Sequence, residues 1–282
     1  MGALSAVAYR GPVTNPPNLP GAWNFRDVSL AAGLRPGRLF RSSELSRLQD
    51  QGREGLRQLG IGDIADLRSP TEVARRGPGL VPEGVRIHLL PFADPSSGGS
   101  PEGTAPHEVA LRRLMAEKPA DDSAAGVAAR HMINEYARFP TLTGARRAVQ
   151  RVVSLLVAGE SVLTHCFAGK DRTGFVVSVV LRAVGVDPDV IVDDYLRSNA
   201  AIPTLRGQIT DLIRSLPSDQ RTPEIFTVTE ARLSDEVLGV RAEYLDAAHL
   251  AIEKNFGSFD AFLRACAVTD DDRSKLRDAL LG

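Results

Sequence analysis

The chain has 282 residues, of which 43% are apolar and 24% are charged, and its formal net charge is −1. This balance predicts a soluble globular fold with a substantial core, and it excludes binding of nucleic acid through bulk positive charge. The two cysteines, Cys166 and Cys266, are 100 residues apart. They exclude a disulfide framework and favour a reducing compartment.

Residues 1–20 predict a flexible N-terminal tail. They contain a short apolar run over 3–9 without basic residues before it, followed by four prolines. This pattern is typical neither of a secretory signal nor of a helix that spans a bilayer. We therefore expect no stable membrane insertion, and a single domain over 21–282.

Residues 21–92 predict the alternating strands and helices of an α/β unit. The expected elements are a strand over 39–42, a helix over 44–59, a strand over 61–67, a helical turn over 72–76 and a strand over 85–90. Four charged residues in this part are interpreted as structural ion pairs that support the fold, namely Asp27, Arg41, Asp66 and Arg68.

Asp94 follows the last of these strands, in the sequence Pro-Phe-Ala-Asp-Pro. A carboxylic acid on a loop after a strand can donate a proton to a leaving group, but it can equally cap a helix or form a turn. Residues 95–126 are rich in Gly, Ser and Pro, and they predict a long, partly mobile loop. His107 and His131 have no partner at ligand spacing, so no metal site is expected.

After two predicted helices, which end near Ala158, the stretch 161–174 reads Ser-Val-Leu-Thr-His-Cys-Phe-Ala-Gly-Lys-Asp-Arg-Thr-Gly. An apolar strand delivers Cys166 to a short loop, and an apolar helix follows the loop at once. We call residues 165–174 the signature loop. Such a loop can aim its backbone N–H groups and the positive end of the helix at one anion.

The residue types of the signature loop suit nucleophilic attack on a phosphoryl group. A helix N-terminus with nearby cations can lower the pKa of a cysteine from about 8.5 to roughly 3.5–7.5, which favours the thiolate. Arg172 offers a planar fork for two phosphoryl oxygens. Thr173 can stabilise the sulfur as a leaving group, and Gly169 and Gly174 permit a tight curl and a close approach.

Two other interpretations of the loop are weaker. A buried, inert cysteine would explain neither Arg172 nor Lys170 in a loop that faces an anion. A nucleotide-binding P-loop needs Ser or Thr after its Gly-Lys pair, and here Asp171 stands there.

The part after the loop is predicted to be helical. A helix is expected over 189–196, and a second one over 203–216, where Leu205, Ile209 and Leu212 form an apolar stripe. The stripe alone fits a helix of the core. Residues 223–282 predict a further helical cluster, in which Cys266 is either a small buried residue or an exposed bystander rather than a redox partner.

The signature loop resembles that of the cysteine-dependent protein tyrosine phosphatases. Three further segments, Asn24–Asp27, Arg35–Ser42 and Asp66–Ser69, narrow the resemblance to a bacterial tyrosine/lipid phosphatase family with mycobacterial members. The resemblance runs from about Leu19 to the C-terminus. It implies an α/β tyrosine-phosphatase-like fold, with a central, mostly parallel sheet flanked by helices and a helical lid near 200–222 that covers the site.

The resemblance also implies roles for the site residues. Cys166 would be the nucleophile, Arg172 would hold the phosphoryl group, and Asp94 would be the general acid, with Asp171 as the rival carboxylate. His165 would support the loop and tune the thiol. The residues expected to bind substrate are Phe167, Ala168, Gly169, Lys170, Thr173 and Gly174. No metal or other cofactor is needed for this chemistry.

The expected partners are phosphorylated proteins and, because Lys170 adds a cation, phosphoinositide lipids, with no nucleic acid. Location is expected to be cytoplasmic, or secreted without a conventional signal peptide, since some relatives are exported by pathogens and serve in virulence. Three alternatives to a phosphatase that acts mainly on phosphotyrosine, with some phosphoserine and phosphothreonine, stay open. The first is an enzyme that acts mainly on phosphoinositides. A rhodanese-like sulfurtransferase also presents a loop cysteine but needs no separate acid, and an inactive phosphoprotein-binding module would not need Cys166, Arg172 and Thr173 intact.

Overall fold

The computed structural model of the chain describes residues 19–92, 124–214, 233 and 235–281. The predicted tail, except for its last two residues, and Asp94 lie outside this part, as does the predicted loop up to residue 123. The strands are β1 (Arg26–Asp27), β2 (Leu39–Ser42), β3 (Asp63–Asp66), β4 (Arg86–Leu89) and β5 (Val162–His165).

The helices of the described part surround these strands. They are α1 (Val28–Ala31), α2 (Asp50–Gln58), α3 (Pro70–Arg76), α4 (Ala124–Arg138), α5 (Thr143–Val157), α6 (Asp171–Val184), α7 (Pro188–Leu196), α8 (Ile202–Arg214), α9 (Asp235–Leu238), α10 (Ala242–Phe256), α11 (Phe259–Ala265) and α12 (Asp270–Leu281). Two 3₁₀ segments, Phe139–Thr141 and Arg197–Ala201, join neighbouring helices. None of the described helices is long and apolar enough to cross a bilayer.

The five described strands form one sheet in the order β1-β2-β5-β3-β4. Strands β2, β5, β3 and β4 are parallel, and β1 pairs antiparallel with β2. Ser42, His165 and Asp66 end three adjacent parallel strands in register. The α/β prediction with a mostly parallel sheet is confirmed, and the carboxyl ends of the central strands meet at one edge, where α/β folds bind their ligands.

Helices cover both faces of the sheet because alternate side chains of each strand point to opposite sides. Leu39 and Val162 belong to the large core that contains α5, α6 and α10. Phe40, Ile64 and Leu163 belong to a smaller core on the other face. The central strand β5 is buried at all four positions. Cys166, the next residue, therefore lies directly after a strand of the protein interior.

The prediction of a helix over 44–59 is wrong for its first six residues: α2 begins only at Asp50. The backbone groups before it are used in tertiary hydrogen bonds instead. The N–H of Glu44 donates to the carbonyl of Phe167 at 2.9 Å, the carbonyl of Leu45 accepts from Leu80 at 3.0 Å, and the N–H of Gln49 donates to Pro20 at 2.9 Å. A helix over 44–59 would instead pair the N–H of Gln49 with the carbonyl of Leu45, and the bond of Glu44 ties this segment to the signature loop.

Candidate active site

The signature loop occupies the carboxyl edge of the central strand. Strand β5 ends at His165, Cys166 follows with 2% of its surface exposed, and α6 begins at Asp171. The cysteine therefore lies between the end of a buried strand and the N-terminus of a 14-residue helix. The positive end of a helix dipole favours an anion at this position.

Two glycines allow the loop to curl as it does. Gly169 has a φ of +66°, and a Cβ atom there would lie 2.1 Å from the carbonyl oxygen of Ser42. A Cβ at Gly174 would lie 2.7 Å from the ring of Tyr195. Any side chain at either position would collide with its neighbour. The positive φ of Gly169 fits the predicted tight curl, whereas Gly174 lies within α6 and makes room for a tyrosine of α7.

The loop carbonyls are held away from the centre of the curl. The N–H of Glu44 donates to the carbonyl of Phe167 at 2.9 Å, and the side-chain amide of Asn24 donates to the carbonyls of Ala168 and Gly169, each at 3.1 Å. The N–H of a trans peptide points opposite to its carbonyl. Outward carbonyls therefore turn the following N–H groups towards the inside, as an anion-binding nest requires.

A buried network of arginine–carboxylate ion pairs supports the signature loop. Arg41, which is fully buried, donates to the carbonyl of Gly169 at 2.8 Å and to Asp194 at 2.7 Å. Arg26 also binds Asp194, at 2.7 Å. Burial and the charge of Arg41 lower the pKa of Arg26 to about 10, against the opposing effect of Asp194. The network fits the structural role predicted for Arg41.

Asp194 was not identified as a site residue from the sequence, although its position on a helix could have indicated it. It lies on the same face of α7 as the buried Ile191 and Tyr195, and a carboxylate on an apolar face needs a cationic partner. Burial tends to raise the pKa of Asp194, but the charges of Arg41 and Arg26 keep it below its ordinary value. Asp194 is thus the anion that allows two arginines to lie under the loop.

Arg172 is oriented by Glu72 of α3. Its Nη1 and Nη2 lie 2.6 and 2.8 Å from the two oxygens of Glu72, and Nη1 also donates to the carbonyl of Leu67. Burial acts to lower the pKa of Arg172, but the charge and hydrogen bonds of Glu72 raise it above its ordinary value. The buried Nε has no hydrogen-bond partner among the described residues. One edge of the guanidinium is therefore fixed, while its Nε side remains for a ligand.

Glu72 was also missed, and a known pattern could have found it. Ser69 and Glu72 form a capping box at the start of α3, in which each side chain bonds the backbone N–H of the other residue. The pattern Ser-x-x-Glu is a sequence signal for this arrangement. It places the carboxylate near the end of β3, next to the strand that carries the signature loop, with 1% of the residue exposed.

Glu72→Gln is expected to lower the free energy of unfolding by about 3 kcal/mol, because it leaves the buried guanidinium of Arg172 without its counter-charge. Urea unfolding measures this loss. Glu253→Gln is the matched control, since Glu253 pairs with Arg182 at the surface and its loss should cost less than about 0.5 kcal/mol. Equal losses in the two variants would show that the Glu72 pair contributes no more than a surface contact.

His165 lies beneath the cysteine and is fully buried. Its Nδ1 is 3.0 Å from the carbonyl oxygen of Cys166, so Nδ1 carries the proton and donates. Burial lowers the pKa of His165, against the opposing charge of Asp66, which favours a neutral ring. Asp66 is bound by Arg68 at 2.7 Å. This arrangement suits the predicted supporting role of His165, and the pairing of Asp66 with Arg68 matches the predicted ion pair.

Helix α8 covers the outer side of the loop. Its buried Leu205 and Ile209 share a small apolar cluster with Phe167 and Ala168, separate from the two cores around the sheet. The rings of Trp23 and Phe167 also pack edge to face, with centroids 6.3 Å apart. The helix thus packs over the loop as a lid would. Its opening stays a prediction, as does the rest of the lid segment, which lies outside the described residues.

Three further predicted site residues, Thr173, Lys170 and Asp171, differ in their hydrogen-bond partners. The hydroxyl of Thr173 is buried without a hydrogen-bond partner in the described part. The Lys170 ammonium donates to the carbonyls of Leu238 and Gly239 at 2.6 and 3.3 Å. Asp171 accepts a hydrogen bond from Tyr136 at 3.1 Å. No group of three potential metal ligands occurs among the described residues.

Comparison with known proteins gives one consistent family. A model of the tyrosine phosphatase family matches residues 17–282. The triple specificity protein phosphatase PtpB of Mycobacterium tuberculosis is 55% identical over 94% of this chain and 98% of its own length. A candidate tyrosine-protein phosphatase of Cupriavidus necator is 32% identical over 88% and 82%, and a tyrosine-protein phosphatase of Nostoc commune is 26% identical over 93% and 80%.

Proposed function

This chain belongs to the tyrosine phosphatase family and is therefore a phosphomonoester hydrolase, and we propose that it acts on phosphorylated proteins through a phosphocysteine on Cys166. The observation that carries the proposal is the placement of Cys166 among outward-held loop carbonyls, a helix N-terminus and the open Nε side of Arg172. These groups would hold three phosphoryl oxygens while sulfur attacks phosphorus.

The first step breaks the bond between phosphorus and the substrate oxygen. The thiolate of Cys166 forms a sulfur–phosphorus bond, and the departing oxygen takes a proton from Asp94. The N–H groups of the loop and Arg172 stabilise the negative charge on the transferred group. Asp94 lies outside the described residues, so its role is proposed from its position in the sequence.

The second step returns the enzyme to its starting state. Water gives a proton to the Asp94 carboxylate and attacks phosphorus, and the sulfur–phosphorus bond breaks to release phosphate. Sulfur leaves as a thiolate, which the buried hydroxyl of Thr173 can stabilise, since that hydroxyl has no hydrogen-bond partner among the described residues. The protein supplies the oxygen-binding groups, the nucleophile and the proton carrier.

For substrate class, we propose phosphotyrosine in proteins first, with phosphoserine, phosphothreonine and phosphoinositides as slower substrates. The support is the position of Lys170, which has 3% of its surface exposed and whose ammonium is bound to the end of α9. A headgroup with extra phosphates would need this cation. To reach such a headgroup, the Lys170 ammonium would first have to break its hydrogen bonds to the carbonyls of Leu238 and Gly239.

The test compares initial rates, with reductant and without added metal, for a phosphotyrosine peptide, a phosphoserine peptide and a panel of soluble phosphoinositides. We expect the phosphotyrosine peptide to be fastest and thiosulfate to give no sulfur transfer. Lys170→Met should lower all rates to a similar degree, because Lys170 supports the fold of the loop. A selective loss of phosphoinositide turnover in this variant would contradict the assignment and place Lys170 on the headgroup.

A further inference from the structure

Two buried tyrosines from different helices meet behind the signature loop at Asp171. Tyr136 lies on α4 and Tyr195 on α7, and neither has exposed surface. The Tyr136 hydroxyl donates to Oδ1 of Asp171 at 3.1 Å and lies 2.6 Å from the Tyr195 hydroxyl. A phenol has one proton to donate, so Tyr195 must donate to Tyr136. The result is a directed chain of donors that ends on the carboxylate.

A positive charge lies close to the same carboxylate oxygen, Oδ1. Nζ of Lys170 is 3.7 Å from Oδ1 of Asp171 and donates to the carbonyls of Leu238 and Gly239. Those carbonyls are neutral, and the ammonium of a lysine with only 3% of its surface exposed is costly to bury unless a negative charge accompanies it. The Asp171 carboxylate supplies a negative charge at this place, and it also interacts electrostatically with Arg172.

We propose that Asp171 is a positioning residue that stays ionised throughout turnover, and that Tyr136 and Tyr195 fix its carboxylate so that it anchors Lys170. A carboxylate that must compensate a buried ammonium cannot carry the proton for the leaving group. The general acid is then a different residue, for which the sequence offers Asp94. This inference rests on the proposed function and deepens it, because it separates the two candidate acids.

The surroundings of Asp171 indicate that the two tyrosine hydroxyls always donate their hydrogen bonds towards its carboxylate. Burial and the charge of Asp171 raise the pKa of both Tyr136 and Tyr195 well above the ordinary value, so both phenols remain protonated donors. Among the described residues, the charged and titratable groups seen to interact with Asp171 include Lys170 and Arg172 beside it, Tyr136 from α4, Tyr195 from α7 and Tyr244 from α10. A donor chain and two cations all favour the ionised carboxylate.

Tyr136→Phe is expected to make the Asp171 carboxyl easier to protonate, because it removes the end of the donor chain. Carbon-13 NMR of aspartate-labelled enzyme measures this, with the Asp171 signal assigned by its absence in Asp171→Asn. The titration midpoint should move up by about one pH unit, which is the effect of one hydrogen bond to a charged group. Phe139→Leu is the matched control, since the Phe139 ring also packs on Tyr136 but carries no hydroxyl, and it should leave the midpoint unchanged.

The pH dependence of kcat/KM on a phosphotyrosine peptide gives the second readout. The fall in rate at high pH reports the group that must be protonated. Asp171→Asn should lower kcat/KM by about 10²-fold, the scale of a 1 Å misplacement of a reacting group, and should keep this fall. Asp94→Asn should abolish it. In the Asp171→Asn background, Tyr136→Phe should have no further effect on the rate, because it acts through the missing carboxylate.

Two results would overturn the inference. One is loss of the high-pH fall in Asp171→Asn, and the other is an unchanged titration of Asp171 in Tyr136→Phe. If Asp171→Asn fails to fold, the titration in folded Tyr136→Phe enzyme decides, with the signal assigned by elimination against Asp94→Asn and surface variants. Failure of the wild-type enzyme to hydrolyse any phosphomonoester would refute the proposed function instead, so the two failures are distinguishable.

Discussion

Cys166→Ser is expected to lower turnover of a phosphotyrosine peptide by about 10⁴-fold or more, the scale seen when a catalytic nucleophile is removed. Serine is a much weaker acid than cysteine, so the positive end of α6 cannot hold it as an anion at neutral pH. The loop carbonyls, the helix N-terminus and Arg172 are untouched by the change. Steady-state rates measure the loss, and calorimetry with inorganic phosphate should still detect binding.

Cys266→Ala is the matched control for this result. Cys266 is also buried, but burial raises the pKa of its thiol to about 12, and no described anion-binding loop surrounds it. The control should therefore retain turnover within about twofold, in line with a substitution away from the reacting groups. Comparable losses in the two variants, or retained activity in Cys166→Ser, would contradict the assignment of Cys166 as the nucleophile.

Arg172→Lys is expected to lower kcat/KM by about 10³-fold, although it keeps the positive charge. An ammonium can stay near Glu72, but it cannot bind both oxygens of Glu72 with one edge and offer a second edge to a phosphoryl group. The affinity for inorganic phosphate should fall together with the rate. Both quantities are measured on the purified variant, by steady-state kinetics and calorimetry.

Arg182→Lys provides the comparison on the same helix. Arg182 lies near the other end of α6, where it stacks on Phe259 and pairs with Glu253 at the surface. Its replacement should change kcat/KM less than about twofold, as for surface positions generally. If Arg172→Lys loses no more than this control, the fork geometry of Arg172 does not matter and charge is sufficient.

Much of the fold could be predicted from periodicity. The strands over 39–42, 63–66 and 162–165 and the helices after them follow from alternating or helical apolar patterns that have one satisfactory arrangement in an α/β sheet. The start of α2 could not be predicted, because residues 44–49 make backbone hydrogen bonds to Leu80, Pro20 and the signature loop. Local propensity contains no information about such distant partners.

In the candidate site, too, some residues could be predicted from the sequence and others could not. Cys166, Arg172 and Gly169 could be proposed from the sequence because their residue types and spacing, between a strand and a helix, are typical of an anion-binding loop. The direction of Lys170 was not, since it depends on the carbonyl of Leu238, 68 residues further along the chain. Glu72 and Asp194 were identifiable in principle, from a capping-box pattern and from a carboxylate on an apolar helical face. Both neutralise buried arginines around the loop.

The most direct test of the central claim is to trap the covalent intermediate. The enzyme is mixed with a phosphotyrosine peptide, quenched within milliseconds and digested, and the phosphorylated residue is located by mass spectrometry. A phosphoryl group on the fragment that contains Cys166, formed as fast as the first turnover and absent in Cys166→Ser, is the predicted result. A phosphoryl group on a different residue, or turnover with no phosphoenzyme and full activity in Cys166→Ser, would contradict it.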